Sequence, residues 1–167
     1  MSSESDPQSE SRAARALGMG CRLVALAGGS ILAALTLMVM ASVVGRVLGR
    51  PIQGDFELVQ VGSAVALACF LPYCQWRRAN IIVDFFTTRA SPRTQAILDA
   101  FGALLFAIAL AVVAWRGFAG AIAIKAANET TMIMGVPLWY GYALMAPAFA
   151  LAAVVGFYTA VSSFRAR

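Results

Sequence analysis

The sequence has no histidine, three cysteines, and few charges for its length, with 13 Lys or Arg and 8 Asp or Glu in 167 residues. The missing histidine excludes the most. A haem anchor of four helices draws its axial ligands mainly from His, and a zinc site rarely forms without His or clustered Cys. The side chain that titrates nearest neutral pH is also gone. Cys69 and Cys74 are five apart, which on a helix turns them about 140° away from each other. With Cys21 they form no C-x-x-C pair, so the thiols read as small apolar packing residues rather than a disulfide relay. There is no G-x-S-x-G, no phosphate-cradling Gly-Lys-Ser/Thr loop and no H-E-x-x-H. The chain is therefore expected not to be an enzyme, and to hold no cofactor and no metal.

What is present is apolar. Hydrophobic residues make up 60% of the chain, with a mean hydropathy of +0.77. They gather in four stretches, about 23–45, 58–74, 96–115 and 138–161. Each is long enough, or nearly so, to cross a hydrocarbon core of ~30 Å as a helix, and none shows the polar outer face of a soluble helix. The second is the shortest and carries Gln60, Ser63 and Pro72. The expectation is an all-α membrane protein with four transmembrane helices over residues 21–167. Residues 1–20 are polar and Ser-rich, without apolar periodicity, and read as a disordered cytoplasmic tail.

Four crossings put both termini on one side. That side then carries nine of the basic residues, Arg12, Arg15, Arg22, Arg77, Arg78, Arg89, Arg93, Arg165 and Arg167, against four on the other, Arg46, Arg50, Arg116 and Lys125. The positive-inside rule places both termini in the cytoplasm. It also explains the net charge of +5 without nucleic acid. Trp115 and Trp139 would lie at the outer interface, Tyr73 and Trp76 at the inner one.

Between spans two and three, Ile81, Ile82, Phe85 and Phe86 share one helical face and are flanked by Arg77, Arg78, Asp84 and Arg89. This predicts a short interfacial amphipathic helix over about 76–90. Ser91-Pro92 then reads as an N-cap with proline in the first turn, opening a third helix that could run to Ala126. Asp55 is a candidate N-cap for span two, and Gly135-Val136-Pro137 opens span four with Pro137 near the first helical position.

Charges inside membrane spans are the first place to look for function, and here they crowd the ends. Glu57 begins span two, Asp99 lies one or two turns into span three, and Arg116 ends it. Glu57 or Asp99 could serve as an ion or proton site. The plainer reading makes them helix-start charges favoured by the macrodipole or partners of arginines. Gly45 and Gly49 form one G-x-x-x-G, but Gly28-Gly29 in mid-span offers a smoother surface for close helix approach. Gln60 and Ser63 could bond across to another helix. No broken helix or charge ring that would build a channel is visible.

The run RRANIIVDFF from Arg77 to Phe86, followed by SPRTQAILD from Ser91 to Asp99, resembles the central signature of the small, DctQ-like membrane subunit of TRAP (tripartite ATP-independent periplasmic) transporters. Asp55-Phe56-Glu57-Leu58 is similar to that family's acidic start of span two, and GVPLWYGY to its Gly-x-Pro-x-Trp opening of span four. The resemblance covers about residues 20 to 165, with Asn80 standing where the family often has His. It implies a non-catalytic scaffold in the bacterial inner membrane, beside a large elevator-type subunit that takes up an organic acid with sodium. A periplasmic solute-binding protein would deliver the substrate. Subunit or lipid contacts would then fall to Glu57, Arg77, Arg78, Asn80, Asp84, Asp99 and Trp139. The competing readings are an autonomous small oligomeric four-helix transporter, which would need an acid in span one, and an enzyme or electron-transfer anchor.

Overall fold

A computed structural model describes residues 7–50, 52–77 and 92–165. It contains four long helices: α1 Pro7–Val47, α2 Asp55–Trp76, α3 Pro92–Ala127 and α4 Trp139–Arg165. Each contains a segment apolar and long enough to span a membrane. The four expected spans are therefore present, and the third helix runs one residue past the expected Ala126. The chain is an all-α, multi-pass membrane protein.

One expectation needs correction at the start of a helix. Helix α1 begins at Pro7, inside the stretch read as a disordered tail. Proline at a first helical position costs no hydrogen bond, and Ala13, Ala14, Ala16 and Leu17 favour continuation toward the apolar segment. Helix α4 begins at Trp139, with Pro137 just before it, paired with Thr130 in an isolated bridge. The predicted interfacial helix over 76–90 lies outside the described residues apart from Trp76, which ends α2, and Arg77, which caps it.

The helices do not close into a bundle. Helix α1 packs on α2, α2 on α4, and α4 on α3, while α1 touches α4 only lightly and α3 meets neither α1 nor α2 among the described residues. The result is an open row in the order α1, α2, α4, α3. Both hairpin loops lie at one end, called here the loop end; the N-terminus of α1 and C-terminus of α4 lie at the other, the termini end.

The seams of this row are built from small side chains. On α3, Ala100, Ala103, Ala107, Ala114 and Ala121 are buried, and their three-, four- and seven-residue spacing makes one left-handed stripe. It faces Ala146, Ala153, Gly156 and Ala160 of α4, also buried. A Cβ at Gly156 would already come within 3.1 Å of Ala107 Cβ. Large residues point outward instead: Leu26, Leu37, Leu67, Phe118 and Ile122 are all more than half exposed. In lipid, close backbone approach rather than burial of bulk drives helix association, and this arrangement follows that logic.

Both hairpin loops leave their helices through the same device. Gly49 (φ 74°) and Asn128 (φ 52°) occupy the left-handed region. The N–H groups of the next residues, Arg50 and Glu129, reach back to Gly45 and Ile124 carbonyls at 2.7 and 3.3 Å. These are Schellman caps, which turn the chain sharply and satisfy carbonyls that would otherwise be stranded. Gly49 is thus a helix terminator and not half of a packing motif.

Candidate functional site

Polar side chains converge at the loop end, where a clasp ties the two hairpins together. Asp55 is the first residue of α2, and its cap position is taken by Gly54 in the left-handed conformation (φ 79°). Met134 crowds the position a Cβ would take at Gly54. Asp55 is therefore not the N-cap expected from the sequence. Its carboxylate turns toward α1, accepting from the Ser42 hydroxyl at 2.5 Å and from Arg46 at 3.0 Å, while the other oxygen accepts the Phe56 N–H. Ser42 is completely buried. It stands one turn before Arg46, so both reach the same acid across the first hairpin.

Glu57 faces the second hairpin. Its two oxygens accept the backbone N–H groups of Ile133 and Met134 at 2.9 and 3.1 Å, and the Thr131 hydroxyl and Met132 N–H also reach this carboxylate. The loop is shaped to present these donors. Thr131 N–H bonds the Val136 carbonyl, Leu138 N–H bonds Glu129, and Gly135 (φ 65°) closes the turn. The Thr131 hydroxyl accepts the Val136 N–H at 3.1 Å. Consecutive N–H groups turned on one point make an anion-binding concavity, here filled by the protein's own glutamate. No arginine partners Glu57 among the described residues; its carboxylate is held by loop amides instead.

Trp139 lies beside the clasp at the first turn of α4. Lys125 Nζ sits 4.8 Å from its ring centroid, and Tyr140 stacks on it at 4.1 Å. The Trp139 ring borders an apolar groove of about 670 Å³ between α3 and α4, walled by Trp115, Phe118 and Ile122 and floored by Ala121 and Ala146. Cation over indole is worth about 0.5–2 kcal/mol depending on desolvation.

The termini end is held by ring packing. Trp76 stacks on Tyr158 of α4 at 6.0 Å and lies against Gly18 of α1, where an added Cβ would be 3.1 Å from the indole. Gln75, next to it, is 2% exposed, and its Nε2 has no hydrogen-bond partner among the described residues.

The structure therefore brings together two of the sequence-predicted residues, Glu57 and Trp139, at the loop end. Arg77 is placed at the other end, exposed, its N–H bonded to Tyr73 O at 3.0 Å. Arg78, Asn80 and Asp84 lie outside the described residues, and of Asp99 only the helical backbone is described. Gln60 and Ser63 do not bond across helices as expected: Ser63 donates to the Gln60 carbonyl of its own helix at 3.2 Å. Sequence reading missed Ser42, Arg46 and the Thr131–Gly135 turn. A lone Ser four residues before an Arg at the end of an apolar span, facing an Asp across a short hairpin, was the available signal. Among the described residues no group of acids and thiols could hold a metal ion.

The geometry is that of a membrane part whose polar groups are used on itself. Comparison with known families agrees: residues 35–166 match the family described as "Tripartite ATP-independent periplasmic transporters, DctQ component". The chain belongs to the DctQ family. No curated protein and no solved structure matches it. The matched region begins within α1 and takes in both hairpin loops, so the clasp and all of the α4–α3 seam are parts of the DctQ region. As a DctQ component the chain is a small membrane part of a tripartite transporter and associates with other subunits of that system.

Proposed function

We propose that this chain is the fixed scaffold of its transporter. It would pack beside a large elevator-type subunit and widen that subunit's hold on the bilayer, while the large subunit carries an organic acid driven by sodium. A periplasmic binding protein would deliver the substrate. The membrane would be the bacterial inner membrane, with both termini in the cytoplasm. The observation that carries this reading is the membership of the DctQ family. The architecture supports it: two acids at the start of α2, Asp55 and Glu57, are held by partners within the chain. An open row also leaves broad faces for a larger partner. Nine basic residues against four favour the cytoplasmic placement of the termini.

The test is a pull-down of the chain, tagged at its C-terminus, from gently solubilised native membranes. Stoichiometric recovery of one large polytopic permease is the expected result. Recovery of the chain as a homo-oligomer without a permease would overturn the scaffold and favour an autonomous transporter. Orientation is checked separately by C-terminal fusions: a green fluorescent protein should fluoresce, and an alkaline phosphatase should stay inactive.

A further inference from the structure

Along one side of the α1–α2 hairpin, at the termini end, runs an open furrow. Its outer part, about 580 Å³, lies between Trp76 and the stretch of α1 from Ala14 to Leu26. Its deeper part, about 750 Å³, continues between α1 from Arg22 to Ala33 and the rings of Phe70 and Tyr73. Arg22 and Leu26 line both parts, so the two are continuous. Arg15 and Arg22 are two helical turns apart on the same face of α1, and both are exposed. Past Arg22 the walls are uncharged. The one polar side chain on α1 there, Ser30, is already bonded to the Leu26 carbonyl at 3.0 Å. At Gly29 a Cβ would meet nothing within 4 Å, so among the described residues no side chain fills the track.

We propose that this furrow binds an anionic glycerophospholipid, with the phosphate on Arg15 and Arg22 and one acyl chain laid along Gly29 and Ala33 against Phe70. The occupant follows from the order of chemistry along the groove. Two guanidinium groups at the mouth match a phosphate, which Arg can grip through paired N–H donors. Acids whose side chains are described (Asp55, Glu57 and Glu129) all lie at the loop end, and the ion pair among the described residues is Arg46–Asp55, also there. Tyr73 and Trp76 border the zone where charge gives way to hydrocarbon, the depth such rings favour. From Arg22 to Ala33 is about 16 Å of helix, comparable with the ~15 Å half-thickness of a hydrocarbon core. Basic pockets between membrane helices select acidic headgroups in this way. A polypeptide would find no hydrogen-bonding wall in the deep track, whereas an acyl chain needs none.

The inference rests on the membrane-spanning placement of α1 and α2 and not on the scaffold role, so its test measures lipid directly. The full chain, purified in mild detergent and exchanged with equal amounts of dioleoyl phosphatidylglycerol and dioleoyl phosphatidylcholine, is examined by native mass spectrometry. Retention of phosphatidylglycerol about tenfold over phosphatidylcholine is expected. The R15Q/R22Q double variant should fall to parity, R116Q at the far end should keep the preference, and G29L should lose both lipids by filling the track. Equal retention by the wild type, or an undiminished preference in R15Q/R22Q, overturns the proposal. A second arm needs no variant: phosphatidylglycerol should raise the melting temperature of the wild-type chain, and inorganic phosphate should not. An equal rise with inorganic phosphate would make this an ion site without lipid. A photo-crosslinker at position 22 that captures the large subunit in the purified complex would make it a protein interface. Either result also overturns the proposal.

Discussion

Glu57 has both oxygens committed to backbone N–H groups more than seventy residues away in sequence. An acid at the start of a helix is ordinarily stabilised by the dipole of its own helix; this one also fixes the fold of a loop on the other hairpin. Glu57→Ala should leave the helices intact and free the 131–136 turn. Hydrogen exchange at the Ile133 and Met134 amides should rise by about tenfold or more, with little change at α1 amides. Unchanged exchange would show that the turn holds itself. Gln75 is the opposite case. Its buried amide nitrogen lacks a partner among the described residues, and an unmet donor costs about 1–3 kcal/mol. Gln75→Met fills a similar volume without that donor, so the isolated chain should gain about 1 kcal/mol in detergent unfolding. A loss instead would mean that the amide has a partner the isolated chain does not reveal.

Helix pairing turns on single glycines. A Cβ at Gly28 would stand 2.8 Å from Cys69 Cβ and 2.9 Å from the Ala66 carbonyl oxygen, whereas Gly29 has open space. Gly28→Ala should therefore force α1 from α2 at a cost of about 1–3 kcal/mol, while Gly29→Ala should stay within about 0.5 kcal/mol of wild type; thermal unfolding of the two variants in detergent checks the contrast. The sequence reading singled out the Gly28-Gly29 pair but could not choose between its members. The choice depends on the rotation of α1 about its axis, which a helix apolar on every side leaves unmarked. The same uniformity hid the row: hydropathy locates four helices, but where all faces are apolar, neighbours are selected by small residues. The alanines of α3 become informative only as a heptad facing the small residues of α4. The start of α2 was misread where a competing local bond won. Asp55 bonded across the hairpin instead of capping.

At the scale of the whole molecule, the two hairpins meet, among the described residues, where α4 lies against α2, with a light touch on α1, and where Glu57 holds the second loop. The join is pinned at the loop end by Glu57 and at the termini end by Trp76 on Tyr158. In a bilayer, preformed helices associate after insertion, and here association can proceed pairwise. The α1–α2 pair has all its own contacts before α3 is synthesised. A chain severed between the hairpins should accordingly lose little. Fragments 1–84 and 85–167, expressed from separate messages, should find each other in the membrane and copurify, whereas a cut inside either hairpin loop should abolish recovery. Order of synthesis then becomes dispensable: the second fragment made before the first should assemble equally well, because neither serves as the template on which the other folds.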